Sequence, residues 1–112
     1  VTDERLYLDT IAECIEQIET YTEAGRDTFL RSSLIQDAVI RNFEIIGEAA
    51  KQISRRLKDQ YPDIPWRRIA GFRDVLIHDY RKVVMEEVWL VVEHDIPVLK
   101  KQISAILKSL DD

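Results

Sequence analysis

Residues 33–58 read SLIQDAVIRNFEIIGEAAKQISRRLK, and the spacing of their apolar positions decides the fold. Ile35, Val39, Phe43, Ile46, Ala50, Ile53 and Leu57 step by three or four residues, which makes one continuous face of a helix. The spacing predicts a single long helix from Ser33 to Lys58. Leu34, Ala38, Ile45 and Ala49 widen the apolar arc, so this helix is expected to pack on more than one neighbour. Gly47 sits in its middle, where glycine costs about 1 kcal/mol relative to alanine. The expected return is the close approach of another helix.

The flanking segments share this period. A first helix is expected from Thr2 to Glu23, with Leu8, Ile11, Ile15 and Ile18 inward and Tyr7 and Cys14 alongside. The stretch EAGRDT then breaks it, with Gly25 read as its C-terminal residue. After the punctuating YPDIP, a short third helix is expected from Pro65 to Ile77, with proline in its first turn. The last helix, Val84 to Leu110, turns Val88, Trp89, Val92, Ile96, Leu99, Ile103, Ile106 and Leu110 inward. Pro97 is expected to kink or restart it, and Asp95 to cap the second piece. Four main helices in up-down order make an all-α antiparallel four-helix bundle with a short, irregular third helix, as one domain over residues 1–112.

Composition narrows the function. The chain is 46% hydrophobic and 33% charged, a globular mixture and not a disordered one. No apolar run approaches the ~18 residues that span a bilayer. The opening VTDERLYLDT carries acids where a signal peptide needs a basic flank and an apolar stretch, so cytoplasm is the expected location. The net charge of −5 counts against a dedicated nucleic-acid binder, whose affinity comes largely from neutralising phosphates. It leaves room for an enzyme that meets RNA at a local basic cleft. Cys14, the only cysteine, rules out an internal disulfide and a cysteine metal cage, and reads as a packed helix residue. His78 and His94 with scattered acids form no pattern such as His-Glu-x-x-His, so neither metal nor cofactor is expected. His94 is expected to face solvent beside Pro97. No glycine-rich phosphate loop or nucleophile elbow occurs.

The chemistry concentrates in RDVLIHDY, residues 73–80. At about 100° per residue from Trp66, the apolar residues Phe72, Leu76, Ile69, Trp66 and Ile77 share one arc, and Arg73 falls inside it at about 340°. A guanidinium stays charged, so on such a face it needs a carboxylate, a phosphate or a water-filled cleft. Arg73 is therefore either a salt-bridged or snorkelling side chain, or part of a cleft or subunit interface. His78 lies about 140° further round and meets the same target only if the helix ends near Ile77. A histidine after an apolar run is structural or catalytic, and spacing alone does not choose. Tyr80 either packs its ring on the bundle or presents its hydroxyl to solvent.

Arg73, four intervening residues, His78, one more and Tyr80 resemble the Arg-x4–6-His-x-Tyr motif of HEPN domains, in the branch of the HepT toxins. QDAVIRNFEIIGEAAKQIS (36–54), YPDIPWRRIAGFRDVLIHDY (61–80) and VWLVVEHDIPVLKKQI (88–103) are similar to that branch in the same order. The resemblance implies a helical bundle that pairs two-fold as a homodimer, bringing two Arg–His sets into one cleft. It implies metal-independent RNA cleavage, with His78 moving protons and Arg73 stabilising charge on the phosphate. It also implies a toxin–antitoxin system in which a minimal nucleotidyltransferase antitoxin silences the toxin by attaching adenylate to Tyr80. Asp74 departs from the pattern, where relatives often carry a polar amide; an acid there pairs with His78 at i,i+4 or repels RNA. Glu48, in IIGEAAK, matches a signature of the branch. It belongs either to a surface network with Arg41, Glu44 and Arg55 or to the support of the Arg73–His78 cleft. The alternative function is a non-catalytic helical subunit that positions substrate for a nucleotidyltransferase.

Overall fold

A computed structural model describes residues 3–112, with side chains from residue 4, so the expected start at Thr2 lies outside the described residues. The described chain is helical throughout and contains no strand. It forms α1 (Asp3–Tyr21), α2 (Arg26–Arg31), α3 (Ser33–Gln52), α4 (Arg55–Gln60) and α5 (Trp66–His78). A 3₁₀ turn (Tyr80–Lys82), α6 (Met85–Leu90), a π-helical turn (Val91–Asp95) and α7 (Ile96–Asp111) complete it. α1 packs along α3 and against α7, and α5 packs on α3. Leu8, Ile11, Ile15 and Ile18 of α1, Val39, Phe43, Ile46 and Ala50 of α3, and Ile96, Leu99, Ile103 and Ile106 of α7 are buried together.

Local hydrogen bonding overrules periodicity in three places. The helix expected over 33–58 is cut at Ile53, whose backbone is extended. Ser54 then caps α4 by accepting from the Leu57 N–H at 3.1 Å, while its own N–H donates to the Glu4 carboxylate at 2.7 Å. Ile53 and Leu57 remain buried on either side of the break. Gly25 does not end α1. It takes φ 96°, open chiefly to glycine, and starts the unexpected helix α2. That helix buries Phe29 against Trp89 at a centroid distance of 5.5 Å.

The third place is Pro97, where the helix restarts, as one expectation had it, with α7 beginning at Ile96, but it does so after a π turn. Proline has no N–H to donate, and in an α-helix its ring meets the carbonyl of the residue four back. Here the Ile96 N–H bonds five residues back, to Val91, so the carbonyls are displaced where the ring must fit. Asp95 does not cap α7: its backbone is helical, its side chain makes no cap bond, and its carboxylate meets Arg68 at 3.4 Å. Leu110 and Leu34, both expected to face inward or widen the arc, are exposed at 47% and 80%.

Candidate active site

The site begins at Gly47. There α3 and α5 approach so closely that an added Cβ would lie 2.2 Å from Arg73 Cβ and 2.7 Å from its Cγ. The expected close approach is thus made by the helix that carries Arg73, at the position of Arg73 itself. One turn away Phe43 and Phe72 meet edge to face, 5.2 Å between centroids, and fix the angle of the two helices.

Seated on Gly47, the Arg73 side chain is only 22% exposed and is held by two carboxylates. Its Nη2 is 3.0 Å from Glu48 Oε2 across the helix interface, and its Nη1 is 3.1 Å from Asp74 Oδ1. Nε is buried and makes no hydrogen bond. Lys51, one turn beyond Glu48 on α3, reaches the same Asp74 oxygen at 2.8 Å. Lys51 first and Arg73 second hold the Asp74 carboxyl below the usual carboxylate range. The carboxyl therefore stays ionised at neutral pH, and the cluster of two cations and two carboxylates is intact there.

Asp74 thus serves the Lys51–Arg73 pair; no hydrogen bond or ion pair joins it to His78 among the described residues. Glu48 bonds to Arg73, whereas the surface pairs of this region are Arg41 with Glu44 at 3.4 Å and Arg55 with Asp59 at 3.5 Å. Lys51 is the residue the sequence reading passed over. Its only signal was an i,i+3 spacing from Glu48 on the helix that holds Gly47.

Arg73 opens onto a hollow of about 420 Å³ between α1, α3 and α5, beside Leu6, Tyr7, Ile45, Glu48 and Ile77. A larger hollow of about 520 Å³ lies on the opposite flank of α5, lined by Phe72, Val75 and Leu99 among others. Arg73 borders the smaller hollow and not the larger, while His78 and Tyr80 border neither.

His78 is exposed at the end of α5, within one residue of the expected boundary, and that residue matters. His78 is still in helical register: the following amide, of Asp79, bonds back to Val75 at 2.9 Å. Arg73 and His78 consequently leave one straight helix about 140° apart. Tyr80 follows in the 3₁₀ turn, 48% exposed. One chain brings Glu48, Lys51, Arg73 and Asp74 together and leaves His78 and Tyr80 outside that cluster.

The other candidates have ordinary surroundings. Cys14 is buried, and burial, followed by the neighbouring Glu13, pushes its thiol up, away from a reactive thiolate. His94 is exposed beside Glu93. Among the described residues no group of three or more His, Cys, Asp or Glu side chains is arranged to hold a metal ion. No described helix is long and apolar enough to cross a membrane.

Fold and site together define an all-helical bundle with an Arg–His–Tyr motif carried on one helix and the turn after it. The family described as "Ribonuclease HepT-like" matches residues 11–106, and the chain belongs to this HepT-like ribonuclease family. It is 47% identical over 103 residues to the "Probable ribonuclease HepT" of Thermococcus cleftensis, covering 91% of this chain and 94% of that one. It is 46% identical over 110 residues to a protein of Methanocaldococcus jannaschii described as "Gamma-glutamylcyclotransferase and putative RNase". That match covers 97% of this chain but only 50% of the relative, so the chain spans half of that protein's length. No solved structure matches the chain significantly.

Proposed function

We propose that this chain is a toxin endoribonuclease that cuts RNA without a metal ion, acts as a cytoplasmic homodimer and is silenced by a nucleotidyltransferase antitoxin. The observation that carries this reading is the divergence of Arg73 and His78 on a single helix in a family of ribonucleases. A second copy related by a two-fold axis near α5 completes the set, with both arginines and both histidines facing one cleft. In that cleft one His78 takes the proton of the ribose 2′-hydroxyl, and the 2′-oxygen attacks the adjacent phosphorus. The bond from phosphorus to the 5′-oxygen breaks, and the second His78 returns a proton to that oxygen. Arg73 offsets the charge that develops on the phosphate oxygens. The test is purified protein with labelled RNA in chelator, comparing wild type with His78→Ala.

Assembly gives an independent check. If a second copy completes the cleft, light scattering at micromolar concentration is expected to give twice the chain mass. A monomer at that concentration would remove the shared cleft.

Silencing turns on Tyr80, whose exposure in the turn after α5 leaves its hydroxyl within reach of another enzyme. The phenol oxygen would attack the α-phosphorus of ATP, forming an adenylyl ester and releasing pyrophosphate. Each added nucleotide brings roughly one negative charge, which competes with RNA for Arg73. With the cognate nucleotidyltransferase and ATP, mass spectrometry is expected to find whole adenylate additions on Tyr80 and none on Tyr80→Phe. A label on another residue would refute the assignment.

The non-catalytic reading, a helical subunit serving a nucleotidyltransferase, is favoured by one observation: both terminal nitrogens of Arg73 are already on carboxylates. The same RNA assay separates the two readings, because that subunit would leave RNA intact.

A further inference from the structure

The engagement of Arg73 by Asp74 has a direct chemical meaning. Lys51 Nζ and Arg73 Nη1 converge on one oxygen, Asp74 Oδ1, at 2.8 and 3.1 Å. The Lys51 distance is that of a charge-assisted bond to a carboxylate or phosphate oxygen, and the Arg73 distance lies within ordinary N–H···O reach. The two cations come from different helices, α3 and α5, and Arg73 is braced from below. Arg73 is fixed by Gly47 and Glu48, and Lys51 stands one turn from Glu48 on α3. The Asp74 carboxylate between them is 49% exposed, so it can swing into water without disturbing the core.

We propose that Lys51 and Arg73 form a two-cation cradle for an RNA phosphate, and that Asp74 fills it from within as a built-in competitor. Lys51 is then a second phosphate-binding residue of the site, and Asp74 sets how much of the cradle is open to substrate. The inference rests on Arg73 as the phosphate-binding residue of the proposed function and adds the group that shares the phosphate with it. It also gives the acid following Arg73 a purpose: it tunes affinity down by occupying the site. A carboxylate that merely repelled RNA from the surface would act equally well from Asp79, which is exposed and lies nearer His78 in sequence.

The experiment measures binding of a fluorescent single-stranded oligoribonucleotide by anisotropy across a salt series, in a His78→Ala background. Asp74→Asn is expected to tighten binding about tenfold and to steepen the salt dependence by about 0.7 for each added phosphate contact. Adding Lys51→Met to Asp74→Asn should abolish that gain, whereas Lys51→Met with Asp74 in place should cost much less. Asp79→Asn removes the same charge and should change affinity little. Equal gains from Asp74→Asn and Asp79→Asn, or an unchanged salt slope, would overturn the cradle in favour of a general charge effect. A parallel calorimetric titration with pyrophosphate keeps the outcome separate from RNA cleavage. If wild type fails to cut RNA, the proposed function falls. The cradle still stands if Asp74→Asn binds pyrophosphate more tightly than wild type, and falls if the two bind alike.

Discussion

His78→Ala is expected to lower RNA cleavage by about 10²- to 10⁴-fold, the range set by losing a general acid or base. The fold gives no reason for anything else to change. His78 is exposed at the end of α5 and its side chain makes no hydrogen bond among the described residues, so circular dichroism and assembly state should match wild type. Arg73→Ala should reach a similar loss by another route, because it removes the charge proposed to stabilise the phosphate. It keeps the Cβ packed on Gly47, so the helix contact survives. It also leaves Glu48 and Asp74 without their shared cation, and a modest fall in stability is expected with it. The double variant should be little worse than either single one, as happens when residues act as a unit. Cleavage that survives both changes, or that disappears in chelator, would end the acid–base mechanism.

Gly47→Ala is expected to destabilise the protein although alanine is the better helix former. Propensity favours the substitution by about 1 kcal/mol. Against it stands a Cβ placed 2.2 Å from Arg73 Cβ, an atom fixed to the backbone that no rotamer change can move. The Ile69 carbonyl, 3.3 Å away, closes off a second direction of relief. α5 must therefore shift, and overpacking of this kind typically costs about 1–3 kcal/mol. The net effect is expected to be a loss of up to roughly 2 kcal/mol in urea unfolding, from the difference of those two terms. Cleavage should suffer more than stability, because a displacement near 1 Å at a catalytic group can cost about 10²-fold. A more stable variant with unimpaired cleavage would show that the helices separate without consequence for the site.

What the sequence made legible was the set of inward faces. The stripes of the first, second and last helices bury except at their ends, where Ile35 is half-buried and Leu110 exposed, and Gly47 could be read as a point of close approach. Periodicity reports which face of a helix is dry. It does not report what covers that face, so it could not tell that Arg73 would be the residue on Gly47. The break at Ser54 was hidden for a related reason: the apolar stripe runs through Ile53 and Leu57 regardless, while capping is decided by single hydrogen bonds. A break at Gly25 was expected, and what went unread was the short helix α2 beyond it. The π turn was hidden because a proline advertises a disturbance and not its form. Lys51 was one exposed lysine among several until Asp74 came near it from another helix. The wide angle between Arg73 and His78 was visible on a helical wheel, but one chain contains nothing that closes it.

The way α5 is attached has a consequence for how this domain would fail. Its 13 residues rest on α3 and are bordered by a hollow on either flank, so few contacts tie them to α1 or α7. A segment held on one side opens locally at a lower free energy than the whole domain unfolds. The helix that carries Arg73 and His78 would then detach while the rest stays closed, and the molecule divides into a durable scaffold and a segment moored chiefly to α3. On warming, catalytic competence would fade while most of the helicity persists. Substitutions that strengthen the scaffold would not postpone that loss; only those that tighten the mooring between α3 and α5 would.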